Sequence, residues 1–338
     1  MPVKAVINLK NIVYNAKAIK RHLPKGVKFC AVVKADAYGH GAERVANTVY
    51  NIVDCFAVAT VDEGVRLRLS GIEKDILVLT AVFDREVVRA VNYSLTLTAG
   101  SVIDLKNYAK EGKRQGVPVK THIKFDTGMH RQGIDSVEEL KVALAFCDKN
   151  KYINLCGLYS HFARPENERS RKAAVKKFLI AKNLVKGYNN ITCHISASGG
   201  FIKGEYFDMV RIGILLYGYK PFNAEGIKVK PAMKVYASVV ATRKLKRGDS
   251  ALYGDKRVNK NTDITLIRYG YADGLFRKEV KGQFNNRCMD LTAVTDYKCG
   301  AKRVAVMSDA DSVAKKYGTI SYEILVKCAL RAEKFYIT

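Results

Sequence analysis

The stretch Phe29-Cys30-Ala31-Val32-Val33-Lys34-Ala35-Asp36-Ala37-Tyr38-Gly39-His40-Gly41 decides the reading of this chain. A short apolar run leads straight into a lysine, and an aromatic and two glycines follow within seven residues. The pattern predicts a buried strand that delivers an amine to its C-terminal end, then a turn able to approach a ligand closely. Apolar neighbours strip solvent from an ammonium and favour the free amine. A free amine at the mouth of a strand is what Schiff-base chemistry needs. A lone lysine after a strand is usually a solvated strand end; the whole run is much more specific.

From this run onward, through the first two-thirds of the chain, apolar β-rich segments recur at roughly even spacing. They are Val27–Val33, Cys55–Thr60, Ile76–Thr80, Leu95–Ala99, Val119–Phe125, Leu155–Phe162, Ile191–Ser196 and Met209–Tyr217. Amphipathic stretches lie between them, among them Ala42–Asn51, Asp62–Leu69, Val102–Arg114, Val137–Cys147 and Glu166–Gly187. Strand signals alternating with helix signals predict a (β/α)8 barrel of the TIM type. The near-continuous apolar character of the strands suits a parallel sheet buried on both faces. Active sites of such barrels lie at the C-terminal strand ends. Lys34, Asp126, Arg131, His161 and Ser198 all fall at or just after such ends.

After about Gly218 the pattern changes. Residues 232–245, 263–271, 288–296, 303–308 and 321–330 read as strands with short turns, and only Asp311–Tyr317 reads as a helix. The expectation is a barrel over residues 10–225 and a mostly β domain over residues 226–338.

Composition supports a folded, ordered chain: 338 residues, 48% hydrophobic, with only 6 prolines. The cysteines at 30, 55, 147, 156, 193, 288, 299 and 328 form no CxxC pair. They read as reduced packing residues of a cytosolic protein. Neither a signal peptide nor an apolar run near 18 residues is visible, so a cytoplasmic protein with no membrane partner is expected. The net charge of +26 raises the question of nucleic acid. It is spread along the chain without an RNA-recognition signature or a Cys/His finger. No nucleic-acid partner and no metal are expected; attraction of anionic substrates or cofactors is the milder consequence.

The run around Lys34 resembles the pyridoxal-phosphate lysine motif of the alanine racemases, and the resemblance continues through essentially the whole chain. It implies that Lys34 carries pyridoxal phosphate and serves as one catalytic base, and that Tyr38 hydrogen-bonds the phosphate. His122-Ile123-Lys124-Phe125-Asp126-Thr127-Gly128-Met129-His130-Arg131 resembles the family's lysine–DTGM–arginine element. There the arginine, here Arg131, contacts the cofactor's phenolic oxygen and the substrate carboxylate, a dual contact that suits a planar guanidinium. The lysine, here Lys124, is often carbamylated in that family; an ordinary lysine is the other reading.

Tyr159-Ser160-His161-Phe162 resembles the element whose histidine packs on the cofactor ring, and His194-Ile195-Ser196-Ala197-Ser198-Gly199-Gly200 the one whose serine binds phosphate. Ala197 departs from the family's usual asparagine. Met209-Val210-Arg211-Ile212-Gly213-Ile214 resembles the segment in which backbone amides, here of Gly213 and Ile214, hold the phosphate. Its arginine, here Arg211, pairs with the pyridine nitrogen. An arginine keeps its proton, so that nitrogen stays largely unprotonated and the cofactor is a weaker electron sink. Such tuning suits racemisation, whereas a decarboxylase would pair the nitrogen with a carboxylate.

In the β domain, Leu252-Tyr253-Gly254 resembles the segment bearing the second base, Tyr253. Tyr269-Gly270-Tyr271-Ala272-Asp273-Gly274 and Cys288-Met289-Asp290 resemble elements that contact substrate through Tyr271 and Met289. In the family these come from a partner subunit, so a homodimer with shared sites is implied, with the first strand, residues 1–9, joining the β domain. Two departures stand out: a short span between Gly274 and Arg287, and Leu330 where the family usually has a tyrosine near the phosphate. The resemblance implies a racemase interconverting L- and D-alanine by a two-base mechanism, supplying D-alanine for peptidoglycan. Leu330 motivates the alternative of a racemase of serine or another small amino acid. A non-catalytic pyridoxal-phosphate-binding protein is a further alternative, against which stands the retention of both Lys34 and Tyr253.

Overall fold

Strand β1 (Val3–Asn8) alternates buried and half-buried side chains and runs into a helix over Leu9–His22. Eight strands follow: β2 (Lys28–Val32), β3 (Cys55–Val58), β4 (Ile76–Val78), β5 (Thr96–Ala99), β6 (Val119–Lys124), β7 (Ile153–Tyr159), β8 (Thr192–His194) and β9 (Met209–Ile212). The computed structural model describes residues 3–253, 257–274, 276–277, 285–295, 300 and 302–338, with only the backbone of residues 84 and 285.

β2 to β9 form one parallel sheet in the order β8-β7-β6-β5-β4-β3-β2-β9. Every residue of β4, β5 and β9 is buried, as layers on both faces require. The ends of this sheet meet: Arg211 N–H donates to Ser196 O at 2.9 Å and Asp208 N–H to Cys193 O at 3.0 Å. The intervening helices begin where side chains cap them. Thr60 accepts from Glu63 N–H in a capping box, and Ser101, Ser136 and Asn167 accept from the amides three residues on. Each cap contributes about 1 kcal/mol. The result is the eight-stranded, nearly closed α/β barrel that the alternation of apolar runs predicts.

The remaining strands are β10 (Met233–Leu245), β11 (Thr262–Ile267), β12 (Asn285–Arg287), β13 (Thr292–Thr295), β14 (Arg303–Met307) and β15 (Glu333–Ile337). They join β1 in a second sheet ordered β12-β13-β11-β10-β1-β15, with β14 also paired to β10. β1 pairs antiparallel with β10 and parallel with β15. By contacts the chain divides into two compact units: Val13–Ala37 with Ala42–Val229, and Met1–Ile12 with Tyr38–Gly41 and Lys230–Thr338.

One expected element is wrong. Residues 321–330 read as a strand, but Ser321–Cys328 is a helix. Its buried residues, Ser321, Ile324, Leu325 and Cys328, recur at helical spacing and form one face. The apolar run Ile324-Leu325-Val326 concealed that period. β12 and β15, the helix Leu9–His22 and the helix Asp84–Asn92 were not anticipated. Cys30, Cys147, Cys193 and Cys328 are buried and Cys55, Cys156 and Cys288 half-buried, all with free thiols; Cys299 lies outside the described residues. No helix among the described residues is long and apolar enough to cross a membrane.

Candidate active site

Lys34 lies two residues past Val32, the C-terminal end of β2. The backbone then makes a left-handed turn, with φ of 51°, 53°, 55° and 53° at Ala35, Asp36, Ala37 and Tyr38. This conformation costs an L-residue roughly 1–2 kcal/mol and persists only where its surroundings enforce it. Those surroundings are carboxylates. Glu63 Oε1 accepts from Ala35 N–H at 2.6 Å while Oε2 accepts from Ala59 N–H at 2.7 Å. Asp36 Oδ1 accepts from Ala42 N–H at 2.8 Å. The sequence predicts a turn here but not its hand.

Burial pushes the Lys34 ammonium below the ordinary lysine range; Arg131 adds to this and Glu63 opposes it. Lys124, at the end of β6, is pushed down to about 8 by burial, with Arg131, Arg211 and Lys34 acting in the same direction. Its Nζ lies 3.5 Å from Gln132 Oε1. Gln132 Nε2 is buried with no hydrogen-bond partner among the described residues. Asp126 is buried, which alone would raise its carboxyl; the N–H groups of Gly128 (2.6 Å) and Met129 (2.9 Å) on Oδ1 hold it low. That turn carries the chain to Arg131, which is exposed. Lys124, Asp126, Met129, Arg131, Gln132, Ser160 and His161 line one recess.

Arg211, on β9, is buried. Its Nη2 donates to Ser160 O at 2.7 Å and Ile195 O at 3.1 Å, and lies 3.2 Å from His161 Nδ1. Its Nη1 donates to His194 Nδ1. Burial, then the Arg211 cation, drive His161 well below the ordinary imidazole range. The parallel bridge between Ala197 and Arg211 puts Ser198 beside β9, at the first turn of the helix Ser198–Ile202. Its Oγ is buried with no partner among the described residues. Gly213 precedes a 3-10 turn over Ile214–Tyr217. The barrel therefore brings Lys34, Lys124, Arg131, His161 and Arg211 within electrostatic reach of one another.

The other expected residues belong to the second unit. Tyr38 is buried with its ring 5.9 Å from that of Tyr322, and burial raises its phenol. Gly39 approaches so closely that a Cβ there would lie 2.7 Å from Leu325 O. Tyr271 N–H donates to Cys288 O at 3.2 Å and Ala272 N–H to Met289 O at 3.0 Å, which joins the two expected substrate elements. Tyr253 is 88% exposed, Met289 54% and Leu330 68%. Leu330 is thus no core residue. Gly254 and most of the span between Gly274 and Arg287 lie outside the described residues.

Sequence reasoning assigned no role to His122, His194, Gln132 or Gly157. The signal for the first was its spacing: His122 and Lys124 lie two apart on β6 and share a face.

Two family models match the chain, one described as "Alanine racemase, N-terminal domain" over residues 7–221 and one as "Alanine racemase, C-terminal domain" over residues 232–336. The chain belongs to the alanine racemase family. Among relatives in the family, an alanine racemase of Thermodesulfovibrio yellowstonii is 35% identical, over 99% of this chain and 98% of its own length. Alanine racemase 1 of Bacillus subtilis is 32% identical, over 98% and 92%. The solved alanine racemase of Clostridium difficile superposes with a TM-score of 0.93 at 29% identity, covering 100% of this chain and 96% of its own. That of Bacillus anthracis, solved with bound L-Ala-P, gives 0.91 at 28%, covering 100% and 95%.

Proposed function

We propose that this chain is a pyridoxal-phosphate-dependent racemase that interconverts L- and D-alanine by a two-base mechanism, as a cytoplasmic homodimer. The observation that carries the reading is Lys34, an amine kept below the ordinary lysine range at a barrel strand end, in a member of the alanine racemase family. The residues present fit the cofactor. An amine with a lowered pKa suits its carbonyl carbon, and a buried, unpartnered Ser198 hydroxyl suits its phosphate.

The chemistry that bound pyridoxal phosphate supplies is acidification of the α-hydrogen of an attached amino acid. Lys34 holds the cofactor through its amine and then moves a proton on one face of the α-carbon. Tyr253 of the partner subunit moves a proton on the opposite face. Its exposure in one chain supports a role toward a second copy. Arg211 would hydrogen-bond the pyridine nitrogen and, because a guanidinium does not hand over its proton, leave that nitrogen unprotonated. His161 packs on the ring. Tyr38, Ser198 and the backbone of Gly213 and Ile214 hold the phosphate. Arg131 orients the substrate carboxylate, with Met289 and Tyr271 contributed across the dimer. Residues 10–225 act as the cofactor-binding domain, and 226–338 with strand 1–9 as the domain that lends the second base.

Purified protein incubated with pyridoxal phosphate and either enantiomer should drive alanine to a racemic mixture on chiral chromatography. Absence of D-alanine from cofactor-loaded protein overturns the reading. Borohydride should fix the cofactor to the peptide holding Lys34, and label on another lysine would remove Lys34 from its role.

A further inference from the structure

Arg211 sits at one end of a hydrogen-bond chain that runs away from the recess. Its Nη1 donates to His194 Nδ1, and His194 Nε2 lies 3.0 Å from His122 Nδ1. A guanidinium has donors and no acceptor, so His194 Nδ1 must be bare. His194 then carries its proton on Nε2 and donates it to His122, which must be bare at Nδ1 and protonated at Nε2. A single cation thus dictates the tautomer of two successive rings.

The backbone is built to seat the second ring. The register of β6 against β7 slips between Thr121 and His122, so that Cys156 is passed over and Gly157 faces His122. A Cβ at Gly157 would lie 2.4 Å from the His122 ring. A bulge that re-aims one side chain and puts a glycine opposite it is a specific device. Tyr159 seats the first ring, stacking on His194 at 4.8 Å between ring centres and 3° between planes.

We propose that His122, seated against Gly157, is a positioning residue for Arg211: acting through His194, it fixes the plane of the guanidinium, with both imidazoles in the one neutral tautomer that Arg211 dictates. The inference rests on the reading that Arg211 faces the pyridine nitrogen. Burial and the Arg211 cation, with Lys28 in the same sense, depress both histidines, His122 to about 3; Asp75 opposes this at His122. The pair therefore accepts no proton near neutrality and leaves the charge on Arg211.

Imidazole nitrogen shifts of 15N-labelled, cofactor-free protein test this without turnover. Both rings should show a protonated Nε2 and a bare Nδ1, unchanged between about pH 5 and 8. Titration of either ring in that range, or a proton on His194 Nδ1, overturns the proposal whether or not any variant folds. In the cofactor-loaded enzyme, His122→Leu removes the acceptor and should lower kcat by up to about 10²-fold with KM little changed. His122→Gln retains an acceptor oxygen and should restore most of that loss. Equal losses in the two variants, or no loss in His122→Leu, overturn it. If pyridoxal phosphate fails to bind the wild-type protein, the racemase reading falls and the nitrogen shifts alone still decide the relay.

Discussion

Gly270 backs directly onto Met289: a Cβ at position 270 would lie 2.1 Å from the Met289 carbonyl oxygen. The contact holds the turn that presents Tyr271 against the segment that presents Met289, through Tyr271 N–H to Cys288 O and Ala272 N–H to Met289 O. Gly270→Ala should therefore overpack backbone against backbone and cost about 1–3 kcal/mol. Gly187→Ala meets nothing within 4 Å and is the neutral control. Urea melts of both variants decide; an unchanged midpoint for Gly270→Ala would contradict the packing.

Lys124 should respond to alkaline pH and to carbon dioxide. Its pKa, about 8 in the folded chain, lies below the ordinary 10.5. Between those values the unfolded chain binds more protons, so this group's contribution to stability rises with pH across that window. Below it, the buried charge is a constant cost. In carbonate-free buffer Lys124→Met should be the more stable protein at about pH 7 and lose that advantage as pH approaches 10.5. The amine, about half neutral near pH 8, should also take up 13C-labelled bicarbonate as a carbamate, seen by carbon NMR and missing from Lys124→Met. A wild-type spectrum without that signal would leave Lys124 an ordinary amine.

Lys34 and Tyr253 should complement across subunits. Lys34→Ala and Tyr253→Ala are each expected to be inactive alone. Mixed and allowed to exchange subunits, they should regain activity through one native pair per heterodimer. Failure to regain it, once exchange is verified by mass spectrometry, would mean each chain builds its own site.

Tyr253→Phe should act on one enantiomer. The phenol is the proposed base for L-alanine, and a positioned base typically contributes about 10²–10⁴-fold. Deuterium wash-out from L-alanine should slow accordingly, while wash-out from D-alanine changes far less. Equal slowing of both removes the facial assignment.

Leu330→Tyr should tighten pyridoxal phosphate. Leu330 is 68% exposed, so a larger ring there has room and the thermal melt should stay put. A hydrogen bond to a charged group is worth about 1.5–3 kcal/mol, or roughly ten- to hundred-fold in affinity. Cofactor titration showing no gain would place position 330 away from the phosphate.

The barrel was legible because parallel strands buried on both faces must be apolar throughout. Phe29–Val33 and Ile76–Val78 therefore announce themselves, and period and spacing then order the strands. Lys34 stood out for the same reason, as a charge ending such a run. Ser321–Cys328 was misread because three adjacent apolar residues satisfy a strand as well as a helix, and burial on one face alone distinguishes them. The histidine chain was hidden because its members come from three strands, β6, β8 and β9, with the glycine that seats it on β7.

By itself the sequence determined the alternation of elements, the lysine at the end of β2, and the family to which the motifs point. Those properties are local, set by side-chain type and period along the chain. Only the tertiary structure decided the left-handed turn after Lys34, which Glu63 clamps from 28 residues away. It alone set the slip in β7 that puts Gly157, rather than Cys156, opposite His122. Both depend on contacts between distant segments, where the free energy of a conformation is set by what packs against it and not by its own residues.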